Sequence, residues 1–249
     1  MTSTYARSRY ESEWEWEDPP PPAFVKSFSG PAAECKAALA AAGKTNAEAL
    51  GIINRQIASA VTMLRRAAKA LERGKRSAAT RKLFLKIFRV TPEFVPPWLK
   101  PTADVKDRGD VVRVRCKRVA DMLASRTLRF FCSINSTNCP DCSDPDDWAC
   151  SSWGDESVAP KNSRVVCLGT AFWHDMHDGN TNSLLATLMH EPFHIYFGKY
   201  VTEHGQHDDG TSVGKFGGIY CILRFVFDTS SVTAPDRVNG RCSDVPVRA

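Results

Sequence analysis

Apolar residues recur at helical spacing in the first half of the chain, which predicts amphipathic helices packed around a core. Thr45 followed by Glu48 is a capping-box pattern, and Gly74 fits the end of the same helix. Further helices are predicted over residues 78–89 and 105–124. The helix that begins after Thr45 has its apolar positions at Ile53, Ile57, Val61, Leu64, Ala68 and Leu71.

The second half mixes short β-rich runs with helices. Strands are predicted over residues 128–134 and 164–169, with a polar loop between them over 135–162. Helices are predicted over 180–200 and 217–227. The pattern therefore predicts an α+β protein in which helices dominate and the β-sheet is small.

The amino-terminal segment has a different composition from the rest. Residues 11–18 alternate acidic and aromatic side chains, and Pro19 to Pro22 favour an extended backbone. We therefore expect a disordered leader over residues 1–30. We expect one domain over 31–249, with a helical part at 31–126 and a sheet-containing part at 127–249.

Net charge and hydropathy bear on whether the protein binds nucleic acid or spans a membrane. The 249-residue chain carries a net charge of +5, which is too small to indicate nucleic acid as a partner. Residues 55–118 hold 18 Lys and Arg against 5 Asp and Glu, which is typical of a solvated helix surface. The alternative is that this surface binds nucleic acid or a membrane surface. No run of about 18 apolar residues occurs, so no membrane span is expected.

Nine cysteines indicate either an oxidising compartment or metal binding. Cys139 and Cys142, with Cys150 nearby, favour disulfides over a structural zinc site, because a fourth ligand at finger spacing is not evident. The first residues have no Sec-type apolar region. We therefore expect secretion or export by a non-classical route, with a cytoplasmic location as the alternative.

The helix predicted over 180–200 contains an H-E-x-x-H pattern formed by His190, Glu191 and His194. Residues four positions apart share one face of a helix, so both imidazoles can bind one zinc ion. Glu191 lies beside them, where a carboxylate can accept a proton from a zinc-activated water. This pattern predicts a zinc-dependent hydrolase.

A catalytic zinc site usually has a third protein ligand. No Glu follows Glu203, and position 200, where one zinc-protease pattern places a third histidine, is Tyr200. The third ligand is therefore expected from the loop over residues 203–209, which contains several side chains able to bind zinc.

These motifs resemble the aspzincin group of zinc endopeptidases, which includes deuterolysin and the peptidyl-lysine metalloendopeptidases. The H-E-x-x-H helix is followed by Gly210 to Gly217, similar to the family's Gly-Thr-x-Asp-Tyr-x-Tyr-Gly, and by Cys221. The resemblance spans residues 35–225 and implies a zincin-like metallopeptidase fold. It also implies a polypeptide substrate lying extended along the strand near 164–169.

Two positions depart from the family's pattern. The family's third zinc ligand aligns with Val213, and its transition-state tyrosine aligns with Phe216. The resemblance favours His204 as the third ligand because of its spacing from the zinc helix. Asp208 and His207 remain alternatives to it, and Tyr220 or Tyr196 is a candidate for the missing hydroxyl.

The sequence thus predicts a zinc endopeptidase that uses Zn²⁺ and has Glu191 as general base. The alternatives are a catalytically inactive zincin-like binding module and the basic binding protein described above. The oligomeric state is left open.

Overall fold

The computed structural model describes residues 24–96, 99–132, 146–151, 164–197 and 218–243. Helices dominate these residues and a small mixed sheet accompanies them, so the predicted α+β class is confirmed. In chain order the elements are α1 (Ala32–Ala42), α2 (Asn46–Ala70), α3 (Ala78–Phe88), α4 (Arg108–Ala124), β1 (Arg129–Cys132), β2 (Ala149–Ser151), β3 (Val165–Leu168), α5 (Thr170–Asp178), α6 (Thr181–Phe197), α7 (Ile219–Thr229) and α8 (Asp236–Ser243).

The capping box predicted at the start of α2 is present. The Thr45 hydroxyl accepts a bond from the Glu48 backbone N–H, and the Glu48 carboxylate accepts one from the Thr45 N–H at 2.7 Å. The helix ends at Ala70 with Leu71 as its C-cap, so the predicted end at Gly74 is a few residues too late; Gly74 adopts a left-handed conformation in the turn that follows. The other predicted helices are confirmed with ends that differ by a few residues.

The sheet has the order β1–β3–β2. Strand β3 pairs in parallel with β1 and antiparallel with β2, so both of its edges are hydrogen-bonded. The strands predicted near residues 128–134 and 164–169 are β1 and β3. Strand β2 was not expected, since it lies inside the stretch predicted as a loop and its three residues are too few to show alternation.

Residues 24–30 belong to the fold rather than to the expected leader. Val25 is buried, and its backbone N–H and C=O both bond to the Asn54 side chain. Phe28 packs edge-on against Trp173, and Ser29 pairs with Phe131 of β1. The predicted boundary at residue 30 is therefore too late by at least these residues, and residues 1–23 lie outside the described part of the chain.

One hydrophobic cluster joins both halves of the chain. Helix α2 packs against α4, α6 and α7, and α6 also contacts α5 and β2. The helix that carries the H-E-x-x-H pattern is therefore a central element of the core. Its buried apolar side chains are Leu184, Leu185, Ala186, Leu188, Met189 and Phe193.

A buried ion network ties the end of α2 to the start of α4. The Arg76 guanidinium donates two bonds of 2.9 Å to the Asp107 carboxylate and a third of 3.3 Å to Asp110. Arg73 pairs with Asp110 from the other side. Asp107 also accepts the Asp110 N–H and so caps α4, which couples the helix start to the network.

Disulfides connect elements that are distant in sequence. Cys35 of α1 is bonded to Cys132 of β1, and Cys221 of α7 is bonded to Cys242 of α8. Cys150 and Cys167 lie opposite each other in the β2–β3 register, and both are disulfide-bonded. Among the cysteines that the structure describes, Cys116 is free and buried. The predicted Cys139 and Cys142 pattern falls outside the described residues.

No helix in the described ranges combines the length and apolar character needed to span a bilayer.

Candidate metal centre

The two histidines of the pattern lie one helical turn apart on α6. His190 is 7% exposed and Glu191 is 5% exposed, whereas His194 is partly exposed. The helix continues on both sides of Pro192, which lacks the N–H that would bond to the Leu188 carbonyl. Chemically active side chains are thus held on the rigid backbone of a core helix.

The two imidazoles converge on one point. The Nε2 atoms of His190 and His194 are 3.0 Å apart. Two nitrogens at zinc–nitrogen distances of 2.0–2.1 Å in a tetrahedral site are separated by about 3.3 Å. The pair therefore fits a shared zinc ion with a small outward movement of the rings.

A cavity of about 190 Å³ opens beside this pair. Helix α6 contributes His190 and Glu191 to its wall, and α7 contributes Tyr220. The volume is below that of a typical ligand pocket, so the cavity accommodates a single side chain or a small group. Its other lining residues are Asp146, Asp147, Trp148, Ala149, Ala186, Thr187, Leu223 and Arg237.

The two candidate tyrosines lie in different environments. Tyr220 is buried, and its ring centroid is 4.9 Å from that of His190. Tyr196 is 43% exposed, lies under the Arg118 guanidinium at 5.4 Å and is not part of the cavity wall. Of these two residues, Tyr220 has its ring beside the histidine pair.

A polar network borders the cavity through Thr187, Trp148 and Arg237. Arg237 of α8 donates to the Ser183 carbonyl at 2.6 Å and to the Thr187 hydroxyl, and its guanidinium lies 4.4 Å from the Trp148 ring centre. The Trp148 indole N–H donates to Asp175 at 2.6 Å. The network therefore joins α8, the segment before β2, α5 and the first turns of α6.

A second, more open cavity of about 550 Å³ lies across this network. It shares Trp148 and Arg237 with the cavity at the histidines, so these two side chains form the wall between them. Its remaining lining is mostly polar and includes Asp175, Asn180, Asn182, Ser183, Thr233 and Asp236.

The expected third ligand cannot be placed. His204, His207 and Asp208 lie outside the described residues, as do the divergent positions Val213 and Phe216. Within the described ranges, no group of three or more His, Cys, Asp or Glu side chains could hold a metal ion. His190 and His194 are thus the candidate ligands among the described residues, two of the three that a catalytic zinc site usually has.

The substrate path implied by the resemblance needs correction. Strand β3, near residues 164–169, is bonded on both edges, so an extended peptide cannot pair with it. Strand β2 is the strand next to α6 and the cavity. An extended substrate would therefore pair with β2.

The side chains that shape the cavity wall were not singled out by the sequence. Trp148 comes just before a three-residue strand, and Arg237 lies on an eight-residue helix. Neither element is long enough to show a hydrophobic period. Asp175 lies on α5 and accepts bonds from three side chains, and nothing in the local sequence marks it for this role.

Comparisons with protein-family models, with curated proteins and with solved structures find no significant match to this chain.

Proposed function

We propose that the chain is a zinc-dependent endopeptidase with a zincin-like fold, related to the aspzincins. The observation that supports this most is the convergence of the His190 and His194 Nε2 atoms to 3.0 Å beside the buried Glu191. Two converging imidazoles beside a carboxylate are the usual donor set for zinc-assisted hydrolysis, and His190 and Glu191 line a small cavity.

The metal would be held by His190, His194 and one side chain of the loop over 203–209, with His204 favoured. Zinc, when bound there, lowers the pKa of a water molecule and polarises the substrate carbonyl. Asp208 and His207 remain alternatives for the third position.

The protein's own residues would handle the proton and the developing charge. Glu191 accepts the proton of the attacking water and transfers it to the leaving amine. Tyr220, whose ring lies against His190, would donate its hydroxyl hydrogen to the oxyanion.

The disulfides support a protein that works in an oxidising compartment, in agreement with the proposed secretion or export. A polypeptide substrate would enter along β2 and place one side chain in the cavity next to the histidines.

The experiment is digestion of an unfolded polypeptide mixture by the zinc-loaded protein, with cut sites read by mass spectrometry. Glu191→Gln keeps the size of the side chain and removes the base, so we expect it to bind zinc and to cut at least 100-fold more slowly. Glu72→Gln is the matched control, because Glu72 is an exposed glutamate paired with Lys75.

Cuts that persist in Glu191→Gln at the wild-type rate would overturn the proposal. Zinc binding by wild type with no cuts in any substrate would instead favour the catalytically inactive binding module. In that case the departures at Val213 and Phe216 would explain the loss of turnover.

A further inference from the structure

Helix α8 touches the candidate site through one side chain. The Arg237 guanidinium spans the Ser183 carbonyl and the Thr187 hydroxyl, which lie on successive turns of α6. Thr187 is three residues before His190 and lines the same cavity. Both bonds leave the same Nη2 atom, and the planar guanidinium stacks on the Trp148 ring at the same time, a contact that the compact ammonium of a lysine does not reproduce.

The same side chain supports Trp148. The indole lies between the Arg237 guanidinium at 4.4 Å and the Asp175 carboxylate, to which its N–H donates. Trp148 and Arg237 together separate the small cavity at the histidines from the larger polar cavity. Loss of the Arg237 side chain would therefore remove one of the two side chains of this partition, and it would also remove the group on which Trp148, the other one, stacks.

The attachment of α8 to the rest of the protein is short. The helix has eight residues, and Val238 is its fully buried apolar side chain. Arg224 of α7 bonds to Asn239, and the Cys221–Cys242 disulfide fixes the end of α8 to α7. The disulfide cross-links α8 to α7, and α7 packs against α6, to which Arg237 donates its hydrogen bonds.

We propose that α8 is a cap held in place by the Cys221–Cys242 disulfide. While the disulfide is intact, Arg237 is a positioning residue that holds Trp148 between the two cavities. Reduction of the disulfide opens this partition. The opening and closing of the cap do not depend on the proposed function. Its effect on turnover rests on the proposed function, because the partition sets the size of the cavity beside Glu191.

The redox step needs a thiol reductant. A dithiol delivers two electrons and two protons to the Cys221–Cys242 bond, which becomes two thiols, and the dithiol is oxidised to its own disulfide. The cap would thus be open in a reducing cytosol and closed after transfer to an oxidising compartment.

The test is hydrogen–deuterium exchange of the full-length, zinc-free protein, read by mass spectrometry. In Cys221→Ser/Cys242→Ser we expect amides in 146–151 and 236–243 to exchange at least tenfold faster, with α2 unchanged. Cys35→Ser/Cys132→Ser is the matched control, since it removes a disulfide between α1 and β1 that does not touch the cap. It should accelerate exchange in those two elements and leave 236–243 unchanged.

Arg237→Ala keeps the disulfide and tests the cap if the double serine variant fails to fold. We expect faster exchange in 146–151, and we expect Arg237→Lys to restore little of the protection. For hydrolysis, Arg237→Ala should alter KM for substrates that differ in one side-chain size more than it alters kcat, because the cavity wall and not the base has changed.

Unchanged exchange of 146–151 in both the double serine variant and Arg237→Ala would overturn the cap. The expected exchange pattern in a protein that binds no zinc and cuts no peptide would uphold the cap and refute the proposed function. Zinc-dependent cutting of peptides together with unchanged amide exchange in 146–151 would uphold the proposed function and refute the cap.

Discussion

The replacement Arg76→Met tests how the scaffold behind the site is held together. The Arg76 side chain is 2% exposed and donates to Asp107 and Asp110, which are themselves buried. Methionine has a similar length and no charge, so the substitution leaves two carboxylates in the interior with one cation removed. The backbone carbonyl of Leu71 also loses its bond from the Arg76 Nε.

The expected loss follows from burial. Removing one partner from a buried ion pair costs about 3–5 kcal/mol, because the remaining charge is desolvated without compensation. Arg73 still contacts Asp110, and the Asp107 cap of α4 remains, which places the loss near the lower end of that range. For a protein of this size, about 3 kcal/mol lowers Tm by roughly 6–12 °C.

The pH dependence of the free energy of unfolding gives a second test of this ion network. Burial raises the pKa of Asp110, but the backbone N–H of Lys106 and the Arg73 guanidinium outweigh it, so the pKa lies below its ordinary value. A carboxyl with a lowered folded pKa stabilises the protein above its unfolded pKa of about 3.9 and loses that contribution as pH falls below it. Burial lowers the pKa of Arg76, but Asp107 and Asp110 outweigh it and raise this pKa, so Arg76 is coupled to the same carboxylates. The difference between wild type and Arg76→Met should therefore shrink as the pH falls through the lowered folded pKa of Asp110.

The assay is urea and thermal unfolding followed by circular dichroism, with Arg81→Met as control. Arg81 pairs with Glu93, but the two side chains are 53% and 44% exposed, so its loss should cost about 0–1 kcal/mol. Equal losses of stability in Arg76→Met and Arg81→Met would refute the argument from burial. A difference between wild type and Arg76→Met that stays constant down to pH 3 would refute the assigned role of the carboxylates.

Three further predictions concern the site and the core. Zinc at 100 times its Kd should stabilise the protein by about 2.7 kcal/mol and raise Tm by roughly 5–11 °C in differential scanning fluorimetry, an increase that His194→Ala should abolish. Tyr220→Phe should lower kcat for peptide hydrolysis by about 10²–10³ with zinc stoichiometry unchanged, and an unchanged kcat would exclude Tyr220 as an oxyanion donor. Burial raises the pKa of the Cys116 thiol to about 12, so peptide mapping should find it unmodified by iodoacetamide at neutral pH in native protein and modified after denaturation.

The elements that the sequence predicted well are those that bury one continuous face. Helix α2 has both a 3.6-residue period and a capping box, and the two signals agree with each other. Helix α6 was found because a long apolar run surrounds the H-E-x-x-H residues. Long elements average over many side chains, so local exceptions such as Pro192 do not erase their pattern.

The elements that were missed are those held by tertiary contacts. Helix α1 is rich in alanine and shows little periodicity, and its link to β1 through Cys35 is invisible in a linear sequence. Strand β2 and helix α8 are too short to have a pattern of their own. The partition formed by Trp148 and Arg237 depends on these two elements meeting in space, and so no local signal could have identified it.

The histidine pair and the cavity wall at the candidate site belong to different parts of the fold. The histidine pair proposed to bind zinc lies on α6, which α2, α4, α5 and α7 surround, so its geometry is fixed by the core. The wall that limits the cavity comes from β2 and α8, which are short and held in part by disulfides. A disturbance at the wall should therefore change which substrate side chain is accepted before it changes the approach of His190 to His194. The proposed function therefore predicts that zinc content and turnover respond to different variants, and that variants of α8 lose specificity while they still bind the metal.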